Sequence, residues 1–154
     1  MDCSLSLSLG KLKANPILEF PCDSGGAALG ISDLLVMAME ADGLSTEQAI
    51  NNIFLIDSKG LVSKDRENET DQHKMLYAKQ LPNYQDLEKV VDIVKPSCLI
   101  GVCAQPAVFT PSVLRKMAQY NDSPLIFPLS NPTSKAECTA EQVSAPPTVL
   151  VYLK

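Results

Sequence analysis

Short apolar runs alternate along this chain with stretches spaced like amphipathic helices, and that alternation constrains its fold more than any other feature. Residues 53–56, 98–102 and 125–129 are apolar almost throughout, as suits strands buried on both faces. Residues 17–20 form a further short run, interrupted by Glu19. Between the runs, Ala28, Ile31, Leu34, Leu35, Ala38 and Met39 mark one helical stripe along 26–40. Leu87, Val90, Val91 and Val94 mark another along 86–94, closed by Pro96. Ser45 and Gln48 make a capping-box pair at the head of a helix over 46–52. Thr110-Pro111 starts a helix reaching residue 119: a hydroxyl N-cap, then proline where its missing N–H costs nothing. Pro128 predicts an early end to the run at 125–129, Asn131-Pro132 a turn, and 136–142 a short helix.

Strands separated by helices of this length predict βαβ units. The expected fold is a Rossmann-like α/β three-layer sandwich with a mostly parallel sheet of about four strands. Hairpin signals such as Asn-Gly are absent, and 58–72, polar and rich in both charge signs, reads as a surface loop. The 154 residues suit one domain. Ala145-Pro146-Pro147 followed by a lone apolar run at 148–152 reads as a chain stopping before its domain is complete.

Composition narrows the function. A net charge of −5 argues against a nucleic-acid partner, which calls for a basic face. No apolar run approaches the ~18 residues of a membrane helix. The five cysteines are odd in number and irregularly spaced, with no C-x-x-C, against a zinc site or a disulfide framework. Reduced thiols, and an N-terminal stretch with Asp2 and no Arg in 1–8, lead to a cytoplasmic expectation.

Three loops follow strand ends, where open parallel sheets bind ligands. In PCDSGGAA (21–28), Gly25 and Gly26 either bring backbone N–H groups to a phosphate at a helix N-terminus or form a plain turn. In LIDSKGL (55–61), Asp57 suits a ribose hydroxyl pair. Ser58, Lys59 and the later Lys74 offer a hydroxyl and two cations for a 2′-phosphate; a solvated turn is the alternative. In LSNPTSKAEC (129–138), Asn131 either holds a nicotinamide ribose or substrate carboxylate or caps a helix.

The wording of these stretches is more specific. AALGI (27–31), IFLIDSKGLV (53–62), KPSCLIGV (95–102), FTPSVLRKMA (109–118) and PLSNPTSKAECTAEQ (128–142) together resemble the malic enzymes. The resemblance implies an NAD(P)-binding domain over 16–142, between an unrelated tail at 1–15 and a divergent one at 143–154. It implies a family that oxidises (S)-malate with NADP or NAD and, with Mg²⁺ or Mn²⁺, decarboxylates the product to pyruvate. By the same resemblance Ser24, Gly25, Gly26 and Ala27 fall on the pyrophosphate loop and Asp57 on the ribose-binding acid. Ser58, Lys59 and Lys74 match NADP-using members, and Asn131 matches an asparagine touching cofactor and substrate.

The chain also departs from the family. Asp23 stands where a glycine belongs in the phosphate loop, and Gln105-Pro106-Ala107 replaces a glycine-rich stretch. No residues resemble the family's catalytic tyrosine and lysine or its metal-binding acids, and the sole histidine, His73, lies in an expected solvated loop. The chain therefore reads as a truncated form, inactive alone. Its expected partners are a dinucleotide and, through a shared surface, full-length malic enzyme or itself; a non-catalytic subunit or regulator is the alternative.

Overall fold

A computed structural model describes residues 17–21, 26–66, 71–139, 142 and 150–151 of the chain. Strands β1 (Ile17–Pro21), β2 (Ile53–Asp57), β3 (Gly60–Leu61), β4 (Cys98–Val102), β5 (Leu125–Pro128) and β6 (Leu150–Val151) form one sheet in the order β3-β2-β1-β4-β5-β6. Every pairing is parallel except β2 with β3. The central strand is β1, where Ile17 lies in register with Ile53 on one side and Cys98 on the other. The helices are α1 (Gly26–Ala41), α2 (Thr46–Asn51), α3 (Gln72–Met75), α4 (Leu87–Val94) and α5 (Pro111–Tyr120).

The period-two alternation of the strands builds a core on each face of the sheet. Ile53 and Leu55, Cys98 and Ile100, and Leu125 join Val36 and Met39 of α1 and Ala49 of α2. Ile56, Leu99 and Ile126 point the other way, into Val90 and Val91 of α4 and Val113, Leu114 and Met117 of α5. A Rossmann-like α/β fold is what the continuous apolar runs demand, since strands apolar on both faces need helices on both.

Local signals set the helix ends. Ser45 accepts from Gln48 N at 3.2 Å while Gln48 Oε1 accepts from Ser45 N at 3.0 Å, the reciprocal cap expected of that pair. Thr110 caps α5 by accepting from Val113 N, with Pro111 as the first helical residue. Asp86 caps α4 by accepting from Glu88 N, and Lys95 ends it in the left-handed region at φ 48°.

Four expectations need correction. The sheet has six strands rather than about four. A hairpin exists despite the missing Asn-Gly: Ile56 faces Leu61 and Asp57 faces Gly60 across the Ser58-Lys59 turn. Its glycine lies one place beyond the turn, where φ is 105° and a Cβ would come within 2.4 Å of Asn83 Oδ1 and 2.6 Å of Tyr84 O. The expected surface loop at 58–72 is partly interior: Leu61, Val62, Ser63 and Arg66 are buried, and Gln72 opens α3. The expected helix over 136–142 is instead a 3-10 turn at Thr133–Lys135 followed by non-helical 136–139. Thr139 N donates to Gln142 Oε1 and Gln142 N to Thr139 Oγ1, a reciprocal capping pair inside the span expected to be helical. The lone run near the C-terminus contributes β6, pairing Leu125 with Leu150 and Ile126 with Val151.

Candidate functional site

After β1 the chain moves to β2 and β3 on one side, then returns through α4 to β4 on the other. The carboxyl ends of β1 and β4 therefore flank a topological switch point, the usual ligand crevice of such sheets. Ser24 and Gly25, with Asp23, lie outside the described residues. Gly26 and Ala27 open α1 on the exposed side, and no acidic side chain occupies that helix's first turn to oppose its positive end.

The tip of β2 is a buried ion cluster. Asp57 is 7% exposed, and its Oδ2 lies 2.9 Å from Arg66 Nη2 and 3.7 Å from Lys74 Nζ. Its Oδ1 accepts from Lys59 N at 3.0 Å, which closes the Ser58-Lys59 turn. Arg66 Nη1 donates to the carbonyls of Gly60 and Leu61, so the same guanidinium fixes the hairpin. Arg66 Nε has no hydrogen-bond partner among the described residues. Both oxygens of the acid are engaged, and two buried cations face one anion. Asp57, Ser58, Lys59 and Lys74 are thus brought together, with Ser58 and Lys59 exposed at the turn. Arg66 escaped sequence reading because it sits in a run of mixed charge; its one signal was the strand-ending acid needing a partner.

Asn131 lies at the far side, exposed beyond the tip of β5, and the peptide to Pro132 is cis. Behind it is a second buried acid that the sequence did not reveal. Glu137 is fully buried and accepts from Cys103 N at 3.1 Å, from Ser130 N at 3.4 Å and from Ser130 Oγ. Ser130 Oγ in turn accepts from Ala104 N at 2.8 Å, and Cys103 Sγ lies 3.5 Å from Glu137 Oε1. Burial pushes the Cys103 thiol up to about 12, helped by the charge on Glu137, so it stays protonated as a donor and is no nucleophile. The acid fits because β4 has a glycine there: a Cβ on Gly101 would lie 2.5 Å from Glu137 Cγ and 2.8 Å from Phe109 Cζ.

Other ionisable groups stand apart from the strand tips. His73 is exposed, as expected, but belongs to α3 rather than a loop, with Nε2 3.3 Å from the Asp33 carboxylate. Tyr77 donates to that same carboxylate at 2.7 Å, tying the segment just after α3 to α1. Lys79 is buried, its Nζ donating to Ile50 O and Asn51 O at the end of α2 and lying 4.8 Å from the Phe54 ring centre. Among the described residues no three His, Cys, Asp or Glu side chains form a group able to hold a metal ion, and no helix is long and apolar enough to cross a membrane.

Comparison with known proteins bears on the family and the fold. NADP-dependent malic enzyme of Mus musculus is 51% identical over 119 residues, which make up 77% of this chain and 21% of the relative. The mitochondrial NADP-dependent malic enzyme of Homo sapiens is 48% identical over 139 residues, 90% of this chain and 22% of the relative. The chain thus spans about a fifth of the length of these relatives. A crystal structure described as a malic enzyme (malate oxidoreductase) superposes with a TM-score of 0.62 at 22% identity, over 91% of this chain and 33% of that one, a likeness of fold. The family model for the malic enzyme NAD binding domain matches residues 6–147, and with the strand-tip site in place the chain belongs to that family.

Proposed function

We propose that this chain supplies the NADP-binding edge of a malic enzyme, which oxidises (S)-malate and decarboxylates the product to pyruvate and CO2 as NADP is reduced. The observation that carries the NADP preference is the state of Asp57. An acid that selects NAD needs open oxygens for the ribose hydroxyls. Here Oδ2 is taken by Arg66 and Lys74 and Oδ1 by Lys59 N. Two cations against one carboxylate leave the cluster one positive charge in excess, before Lys59 is added. A dianionic 2′-phosphate suits that surplus.

In this reading Ser58, Lys59 and Lys74 hold the 2′-phosphate. Ser24, Gly25, Gly26 and Ala27 carry the pyrophosphate on the head of α1, and Asn131 meets the nicotinamide ribose and the substrate. When bound, NADP accepts the hydride; this chain's residues bind and orient it. The Mg²⁺ or Mn²⁺ that the family uses finds no donor set among the described residues. No counterpart of the family's catalytic tyrosine and lysine occurs in the sequence, so the isolated chain is expected to show no malate-dependent NADP reduction with Mn²⁺. The thiols of Cys103 and Cys138, free of disulfides, support placement in the reducing cytosol, which cell fractionation checks.

Titration with 2′,5′-ADP and with 5′-AMP tests the cofactor assignment. The 2′-phosphate should tighten binding about tenfold or more, as one new charge-assisted contact implies. Equal affinities would overturn the NADP assignment.

A further inference from the structure

We propose that Glu137 is the positioning residue for the nicotinamide half of the bound dinucleotide, acting through the two loops that its carboxylate ties together. The inference rests on the dinucleotide reading above and goes beyond it by assigning a residue that contacts no ligand itself.

Glu137 is placed between the loop after β4 and the loop after β5. It receives Cys103 N from the first and Ser130 N from the second, the peptide next to Asn131. The Ser130 hydroxyl donates to it and accepts from Ala104 N at 2.8 Å, so the serine relays the hold to the first loop. Phe109 N donates to Glu137 O at 3.0 Å and Ala107 N to Ala136 O at 3.3 Å, stitching the outer part of the β4 loop to the same segment. Among the described residues no cation pairs with this carboxylate, so its buried charge depends on these oriented donors. Donors so committed cannot turn elsewhere, and the backbone on either side of the crevice is fixed.

Position decides which half of the ligand this serves. The tips of β2 and β5 are three strand steps apart, roughly 14 Å at about 4.8 Å per step. The cations at β2 take the adenosine 2′-phosphate end, leaving Asn131 and the β4 loop for the other half. Glu137→Gln keeps shape and volume but replaces one acceptor oxygen by an NH2 group, which cannot receive an N–H. Either Ser130 N or Cys103 N then loses its acceptor, and the loops move apart.

The test is calorimetric titration of the full chain with NADPH and with 2′,5′-ADP, in wild type, E137Q and S130A, with urea midpoints recorded for each. The expected result for E137Q is an NADPH affinity lowered about tenfold, the scale of one lost buried acceptor, with 2′,5′-ADP changed less than about twofold. Equal weakening of both ligands, or NADPH binding unaltered, would overturn the proposal. If E137Q does not fold, S130A decides: it keeps the acid and removes only the relay, and it should show the same split with a smaller drop. An absent split in S130A would then overturn the proposal. A wild type that binds 2′,5′-ADP but gains nothing from the nicotinamide half defeats the Glu137 proposal and leaves the adenosine site standing. A wild type that binds neither ligand defeats the dinucleotide reading itself.

Discussion

Asp57 and Glu137 are both carboxylates buried at strand tips, 7% and 0% exposed, and they are held in opposite ways. Asp57 is matched by Arg66 and Lys74, two side-chain cations on later segments. Glu137 is matched by two backbone N–H groups, a hydroxyl and a protonated thiol. The difference teaches what each tip can do. A cation-rich cluster has positive charge left over and can receive an anion. An acid held by neutral donors has none left over; it orders the backbone that supplies those donors.

The largest expected effect comes from breaking the cation side. Arg66→Met leaves buried Asp57 with Lys74 at 3.7 Å as its one side-chain cation among the described residues, beside the Lys59 N–H, and leaves the carbonyls of Gly60 and Leu61 without their donor. Removing one partner of a buried pair costs about 3–5 kcal/mol, so the urea midpoint should collapse, with part of the loss recovered in Asp57→Asn/Arg66→Met. Ser130→Ala at the other tip removes two hydrogen bonds, the one its hydroxyl gives to Glu137 and the one it accepts from Ala104 N, and should cost less, about 2 kcal/mol. Comparable losses for the two variants would show that the tips are not built differently.

Gly101→Ala probes the room made for Glu137. Its methyl would meet Glu137 Cγ at 2.5 Å, Cδ at 2.6 Å and Phe109 Cζ at 2.8 Å, and a packed core resists such insertion by about 1–3 kcal/mol. The loss should be smaller in a Glu137→Ala background, because two of the three clashing atoms are gone, while Phe109 keeps it above zero. Additive losses in the double variant would mean that Gly101 serves something other than the acid.

Legibility follows locality. The capping pair Ser45 and Gln48 was readable because both partners lie within one turn. Asp57, Ser58, Lys59 and Lys74 were readable as a group because an acid ends an apolar strand and cations follow it. Arg66 was not, since a cation among Lys64, Asp65 and Glu67 looks solvated until Asp57 is known to lack another strong partner. Glu137 was hidden for a different reason: in a polar stretch an acid suggests a helix start, and its donors come from residue 130 across a turn and from residue 103, distant in sequence. The glycine in CLIGV was the available clue, because glycine inside a buried strand signals a close approach.

Lys79 offers a control on buried charge away from the tips. Burial, with Lys64 adding, lowers its pKa from 10.5 to about 8, while the Ile50 and Asn51 carbonyls and the Phe54 face favour its charged form. The depressed folded value fixes the sign. Below pH 8 the amine is charged in both states and folding carries the burial penalty. Between about 8 and 10.5 the unfolded chain binds more protons, so stability rises with pH. Relative to Lys79→Met, the wild type should gain about 1–2 kcal/mol over that window, less than the full shift implies because the carbonyls resist it. A flat difference between the two pH profiles would show that those contacts hold Lys79 charged throughout.

The smallest effect concerns the loop that Glu137 holds. Ala104 at φ 52° and Ala107 at φ 60° occupy the left-handed region, in the stretch where the malic-enzyme resemblance leads one to expect glycines. An L-residue with a Cβ is strained there by about 1–2 kcal/mol. Ala107 is exposed, so Ala107→Gly removes no buried contact, and its N–H to Ala136 O is unaffected. Glycine also loosens the unfolded chain by about 0.4–1 kcal/mol, which offsets part of the relief. The net expectation is a gain of a few tenths to about 1 kcal/mol in urea unfolding. The same change should leave the Arg66 cluster's contribution untouched, so Ala107→Gly and Arg66→Met should add. A loss of stability in Ala107→Gly would instead mean that the alanine methyl packs against something that holds the loop, and that Glu137 does not order it alone.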